Sequence, residues 1–293
     1  MTFPVPPPPV LGPPPGWYPV DATRLGWWDG TQWAYVPPPR APRTPYGEEE
    51  RPVPTTRSWV AVVVGFVVAV GLTALVAFAL DDVESRSNVW LIVAVVPIWL
   101  GLLSGCLVAS ARSGVSLRDS WGLPRTRRGW LRAIGLGVGI GLLIRLASGI
   151  AAAPFVPFID EDALPFGQVA PLMDMDPTFL WMFGFVAIIG APLFEEAFFR
   201  GVLQPTLLGR LSVPIGIGIQ GVVFGAVHYT LGAPALQNAM TIVAITVAGM
   251  GFGWLAWWSR TLVTAVFAHA TFNAIAVGFL VAYPWIDELL QGT

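Results

Sequence analysis

The sequence contains no lysine, one cysteine and two histidines, and only 12 % of its 293 residues are charged. The lone Cys106 excludes an intramolecular disulfide framework, and with no obvious base beside it thiol catalysis fits poorly. All 16 basic residues are arginine and the net charge is -2, so no nucleic-acid footprint appears. Residues 1–50 are proline-rich and polar, so a cleavable signal peptide is not expected there. The helical zinc signature His-Glu-x-x-His is absent. A Gly-x-Ser-Gly nucleophile motif is missing too, since Leu102-Leu-Ser-Gly105 lacks the first glycine. No Gly-x-Gly-Asp lies in an apolar run to suggest an aspartyl pair.

What the chain does have is apolar length. At 55 % hydrophobic residues and a mean hydropathy of +0.66 it is too apolar for an ordinary soluble domain. The expected fold is all-α, a polytopic membrane bundle of about seven spans of about 20 apolar residues each. The spans are Ser58–Leu80, Val89–Ser110, Trp130–Ala153, Thr178–Leu208, Leu211–Tyr229, Leu236–Trp258 and Thr261–Tyr283. Arg40, Arg43, Arg51 and Arg57 precede the first. Arg112, Arg118, Arg125, Arg127, Arg128 and Arg132 lie between the second and third, Arg210 before the fifth and Arg260 before the seventh. If every span crosses once, these arginines share one side, which the positive-inside rule makes cytoplasmic. Asp81, Asp82 and Glu84, the loop acids Asp160, Glu161, Asp162, Asp174 and Asp176, and Asp287-Glu288 then face outward. A multi-pass protein of the plasma membrane with a cytoplasmic N-terminus is expected.

Residues 1–57 form a separate region. Residues 1–15 read as an extended proline-rich tail and 36–57 as a Pro/Arg/Glu linker. Between them, at about 15–36, Pro15-Gly-Trp-Tyr-Pro19 and Gly26-Trp-Trp-Asp-Gly-Thr-Gln-Trp33 enclose Asp29-Gly30, a two-residue hairpin signal. This stretch resembles a short tryptophan-rich module of unknown function found at the cytoplasmic ends of membrane proteins. It reads either as a peptide-binding or tethering patch or as a local aromatic staple. The remaining divisions are 58–174, the N-terminal helices; 175–283, the core; and a tail, 284–293.

Chemistry concentrates in that core. Glu195, Glu196 and Arg200 sit in the apolar run Ala191–Gly201, where an ionised group is costly unless paired or solvated. Glu196 and Arg200 are i,i+4 and can neutralise each other, while Glu195 points about 100° away and needs another partner. Both histidines, His228 and His269, also lie in apolar runs. Phe224 and His228 are i,i+4, so the phenyl ring can pack on the imidazole; His269 and Asn273 are i,i+4 and share a face. Glu195 and His228 stand at similar distances from the turn near Arg210 and can meet in an antiparallel pair, whereas His269 begins nearer its own turn. A Glu–His pair around a water is a hydrolytic arrangement, and His269 with Asn273 offers donors to an oxyanion. Glu195, His228 and His269 could equally hold zinc. Arg145, in the third span, could pair with Glu195 or Glu196, contact substrate backbone, or reach toward an interface.

Glu195-Glu196-x-x-x-Arg200, Phe224-x-x-x-His228 and His269-x-x-x-Asn273, in that order on successive apolar helices, resemble the three motifs of the CAAX-protease and bacteriocin-processing family of intramembrane endopeptidases. It is also called the Abi or type II CAAX prenyl endopeptidase family. The resemblance covers about residues 175–283, and Ser116–Pro124 is similar to the basic segment often found upstream. It implies that Glu195 activates water with His228 assisting, that His269 and Asn273 stabilise the oxyanion, and that Glu196 and Arg200 support the site. It implies hydrolysis of a peptide bond in a membrane-associated or lipidated substrate. Metal-dependent and metal-free glutamate mechanisms have both been described for the family, and a metal-free one suits this residue set slightly better. The rival classes are a transporter with a proton-relay carboxylate, which buried Glu, His and Arg would suit but for which no internal inverted repeat is visible, and a non-catalytic membrane scaffold with the tryptophan-rich module as its contact.

Overall fold

The computed structural model describes residues 14–21, 24–35, 58–79, 88–158 and 176–291. The tail 1–13, the linker 36–57, the acidic turn 81–84 and the loop acids Asp160, Glu161, Asp162 and Asp174 lie outside the described residues. The chain divides into two units, Met1–Arg51 and Pro52–Thr293.

In the first unit β1 (Gly16–Asp21), β2 (Arg24–Trp28) and β3 (Trp33–Tyr35) form an antiparallel sheet in the order β1-β2-β3. It has one strand more than the expected hairpin. Trp28 pairs with Trp33, so the β2–β3 connection is the four residues 29–32 rather than Asp29-Gly30 alone. The reason is Asp29. Its carboxylate accepts from the backbone N–H groups of Thr31 and Gln32 and from the Thr31 hydroxyl, at 2.8 Å each, and its own N–H donates to Gln32 O. Gly30 takes φ +103°, a conformation glycine adopts without steric cost. Edge-to-face pairs Trp17–Trp27 and Trp28–Trp33 complete the module. The amides of Gln32 and Thr31 hold the Asp29 carboxyl below its ordinary value of 3.8. That stabilisation is therefore complete above about pH 4 and is lost as the pH falls through the lowered folded value. Asp29→Asn is expected to speed amide exchange in peptides covering 24–35 and not in those covering 88–158, at pH 7 by mass spectrometry. Unchanged exchange would show that the aromatic pairs alone hold the turn.

The second unit is a helical bundle: α1 (Trp59–Ala79), α2 (Asn88–Ser113), the short α3 (Leu117–Ser120), α4 (Arg127–Ala152), α5 (Pro177–Phe185), α6 (Ala191–Phe198), α7 (Gln204–Leu208), α8 (Val213–Ala226), α9 (Ala235–Ser259) and α10 (Leu262–Gln291). Its polarity is inverted relative to a soluble protein. Val63, Val67, Val70 and Phe78 of α1 and Trp181 of α5 are exposed, Phe78 by 86 %, whereas Glu196, Arg200, Gln204, Gln220 and His269 are buried. An apolar exterior this extensive is stable only against lipid. Among the described residues six stretches are long and apolar enough to cross a membrane. The seventh expected span is shorter than the sequence suggested. α8 has 14 residues, about 21 Å of helix against a hydrocarbon core of about 30 Å. At the other end, α10 continues to Gln291, so residues 284–291 are helical rather than a tail.

α5, α6 and α7 make one rod interrupted by two π-helical turns, Val186–Gly190 and Phe199–Leu203. Each turn closes just ahead of a proline. Pro192 and Pro205 cannot donate, and a proline ring collides with the carbonyl of residue i−4 in a regular helix. Widening the turn relieves this: Ala191 N–H donates to Val186 O and Gln204 N–H to Phe199 O, both i−5. The rod is held by Phe198, which lies between Gly65 of α1 and Gly105 of α2, where a Cβ at either would run into its ring.

Backbone contacts bring several helix ends to one face of the bundle. Ser58 N–H donates to Thr206 Oγ1 and the Arg210 guanidinium lies over Trp59. Leu262 N–H donates to Trp121 O. Gly122, at φ +60°, lies where a Cβ would collide with the Arg260 carbonyl. The start of α1, the end of α7, the α3–α4 connection and the α9–α10 turn therefore share this face, and with them Arg118, Arg125, Arg210 and Arg260. That grouping agrees with the one-sidedness read from the arginine pattern. α9 runs parallel to the α6–α7 rod, with Arg200 bonded to Gly249 O and Gln204 to Gly253 O. α8 runs antiparallel to α9, with Gly221 against Met250 and Gly225 against Ile242. Short as it is, α8 carries the chain away from the arginine face.

Candidate active site

Glu196 is the hub. Fully buried, its Oε1 accepts from Arg200 Nη1 at 2.8 Å, the i,i+4 pair expected from sequence, and from His269 Nδ1 at 2.9 Å. Arg200 Nη2 also donates to Gly249 O at 3.0 Å. The guanidinium lies over the ring of Phe224 at 4.3 Å, with Phe252 at 5.4 Å. The arginine thus has a carboxylate, a carbonyl and aromatic faces for its charge.

The structure brings His269 to this hub, although its short distance from its own turn had left that contact in doubt. The ring stacks on Phe252 at 4.9 Å and 17°, and Phe224 meets its edge at 5.7 Å. With Nδ1 held by Glu196, Nε2 faces the other carboxylate, 4.0 Å from Glu195 Oε2. Glu195 is half-buried where Glu196 is fully buried; among the described residues neither Glu195 Oε2 nor Glu196 Oε2 makes a hydrogen bond, and only Glu196 has its Oε1 held from two sides.

His228 is not inside a helix. α8 ends at Ala226, and His228 lies in the turn beyond it, where Nδ1 meets Phe224 O at 2.7 Å. The acceptor is a carbonyl, so Nδ1 carries the proton and Nε2 keeps its lone pair in the neutral ring. This bond satisfies one of the carbonyls a helix C-terminus leaves without a partner. The Phe224–His228 ring contact expected from their spacing is present, edge-to-face at 5.0 Å.

Asn273 Nδ2 donates to Ala187 O at 2.7 Å. That carbonyl is available because of Pro192. In a regular helix Ala191 N–H would take it, and in a π-turn residue 192 would; the first bonds Val186 and the second is a proline. Pro192→Ala supplies the missing donor and releases Asn273. It is expected to lower kcat about tenfold, with little change in thermal stability, because displacements near 1 Å can cost up to about a hundredfold. The check is kcat beside a melting curve; an unchanged kcat would show that the amide is held without this carbonyl.

Glu195, His228, His269 and Asn273 all line one cavity of about 440 Å³, together with Arg145, Ser148, Phe183 and a wall of small residues from α4, α5, α6 and α9. Glu196 and Arg200 lie behind it. Arg145 does not pair with either glutamate: among the described residues it makes no ion pair, and it lies over Phe272 at 4.8 Å. Nor, among the described residues, are three His, Cys, Asp or Glu side chains grouped to hold a metal ion.

Some of these functional contacts were not anticipated from sequence. The Gly249 and Gly253 carbonyls that hold Arg200 and Gln204 had a readable signal, a small-residue pair four apart on an apolar helix. The Ala187 carbonyl had one in Pro192, five residues on. Phe252 under His269 and Ser148 in the cavity had none.

Lipid-facing helices thus surround a buried Glu–His–Arg centre that adjoins a cavity. Residues 177–275 match the family model described as type II CAAX prenyl endopeptidase Rce1-like. The match spans about a third of the chain and indicates a protease over those residues, in agreement with the resemblance read from the three motifs. No curated protein and no solved structure matches the chain.

Proposed function

We propose that this protein is an intramembrane endopeptidase that hydrolyses a peptide bond of a membrane-associated substrate, lipidated substrates included, by a metal-free mechanism with Glu195 as general base. The observation that carries this reading is the division of labour between adjacent carboxylates. Glu196 lies behind the cavity with its Oε1 held by Arg200 and His269, while Glu195 lines the cavity 4.0 Å from His269 Nε2.

A water beside Glu195 gives up one proton to the carboxylate and its other hydrogen bonds to His228 Nε2. The hydroxide attacks the scissile carbonyl, whose π electrons move to oxygen. The second N–H of Asn273 and a proton on His269 Nε2 stabilise that oxyanion. For His269 to donate there it must be the imidazolium, which makes two cations against two carboxylates in the buried cluster. Collapse expels the amine, which takes the proton back from Glu195. No step needs a metal. The arginine-bearing face is cytoplasmic by the positive-inside rule, with the N-terminus on that side and the protein in the plasma membrane.

The test is a quenched lipidated peptide supplied to purified protein in liposomes, for wild type and His228→Ala, each with and without a strong chelator. The expected result is a loss of about 10²-fold or more in His228→Ala and no chelator effect on wild type. Loss on chelation and recovery with zinc would overturn the metal-free reading.

A further inference from the structure

Arg145 and Ser148 stand one turn apart on α4 and line the same cavity as Glu195, His269 and Asn273. The proposed reaction uses neither of them. Ser148 is 1 % exposed, and among the described residues its Oγ makes no hydrogen bond, not even to the helix carbonyl a turn behind it. Among the described residues Arg145 has an aromatic face under its guanidinium and no anion beside it. A guanidinium and a hydroxyl without acceptors, facing one cavity inside a bilayer, lack a negative partner. Glu195 does not fill that role, since no ion pair joins it to Arg145.

We propose that Arg145 and Ser148 form an anion subsite that binds a carboxylate of the substrate peptide close to the scissile bond. This deepens the peptidase reading and rests on it. The donor set suits a carboxylate: a planar fork of N–H groups with one hydroxyl matches two coplanar oxygens. The position suits the proximity to cleavage, because Arg145 lies over Phe272, whose neighbour Asn273 faces the reacting carbonyl in the proposed mechanism. The rest of the lining includes Ala152, Ala153, Ala187, Ala244 and Ala248, which leaves room for a peptide, and Arg145 is the one arginine in it. The subsite therefore sets where along a peptide the enzyme cuts, at a short fixed distance from a terminal or side-chain carboxylate.

The experiment measures binding of a fluorescent peptide to full-length Glu195→Gln protein in nanodiscs, so that turnover plays no part. The peptide is compared with its C-terminal amide and with a form whose acidic side chain is replaced by the amide. The set is repeated in Arg145→Gln, Arg145→Lys and Ser148→Ala. Neutralising the bound carboxylate is expected to weaken binding at least about 30-fold with Arg145 present and less than threefold in Arg145→Gln. Arg145→Lys should keep part of the discrimination. Equal discrimination in Arg145→Gln overturns the proposal. So does an Arg145 effect that follows the fraction of anionic lipid in the disc and not the peptide, which would assign the site to a lipid phosphate. If wild type cleaves no peptide while Arg145-dependent discrimination persists, the peptidase reading fails and the subsite stands.

Discussion

Glu195→Gln is expected to lower peptide hydrolysis by about 10²–10⁴-fold, the range for loss of a general base, while leaving the bundle folded. The substitution is close to isosteric and removes no hydrogen bond from Oε2, which has none among the described residues. Its effect should fall on kcat, since the carboxylate acts on water and not on substrate binding. Glu196→Gln offers the contrast. It weakens the bonds to Arg200 and His269 together, so activity and thermal stability should both fall. The measurement is kcat for both variants beside melting curves in the same detergent. If Glu195→Gln keeps more than a tenth of wild-type kcat, the base lies elsewhere and the peptidase mechanism is wrong. If it instead alters a proton-coupled flux, the transporter class returns.

How much of this was readable in the sequence depends on the range of the interaction. Long apolar runs are local, and the membrane bundle follows from them almost directly. The arginine pattern, also a property of the one-dimensional chain, agrees with the helix ends that Ser58–Thr206 and Trp121–Leu262 bring together. Glu196–Arg200 is an i,i+4 pair and needed nothing beyond helix geometry. Contacts between helices were less visible. His269 meets Glu196 because α10 packs where its depth suits, and side-chain depth is not encoded in residue spacing once turns differ in height. The end of α8 is a case in between. The run 211–229 is apolar throughout, so hydropathy carries the helix on to Tyr229. What ends it at Ala226 includes the bond from the His228 ring to Phe224 O, a side chain competing for a backbone acceptor. The π-turns were legible in principle, since prolines at 192 and 205 each remove a donor from an apolar helix, and reading them would have pointed to a carbonyl in need of Asn273. Ser148, which lines the cavity with Glu195, comes from a helix far earlier in the sequence, beyond any motif.

The largest effect on stability is expected at Arg200. Arg200→Met removes the cation that neutralises Glu196 and leaves a fully buried carboxylate with only His269 as counter-charge. Breaking a buried pair from one side costs about 3–5 kcal/mol, because the remaining ion has lost its partner and cannot recover water. The loss should exceed that of Glu196→Gln, which leaves Arg200 its carbonyl at Gly249 and the face of Phe224. The double variant Glu196→Gln/Arg200→Met should then be more stable than Arg200→Met alone, since no uncompensated charge remains. The cycle separates two roles. A double variant that is stable and inactive shows that the pair holds His269 for catalysis and that folding can proceed without it. A double variant as unstable as Arg200→Met shows that the guanidinium contributes mainly through its contacts with α9 and the aromatic rings, and that charge compensation of Glu196 is secondary. Reversible unfolding in mixed micelles, followed by tryptophan fluorescence, measures all three variants on one scale.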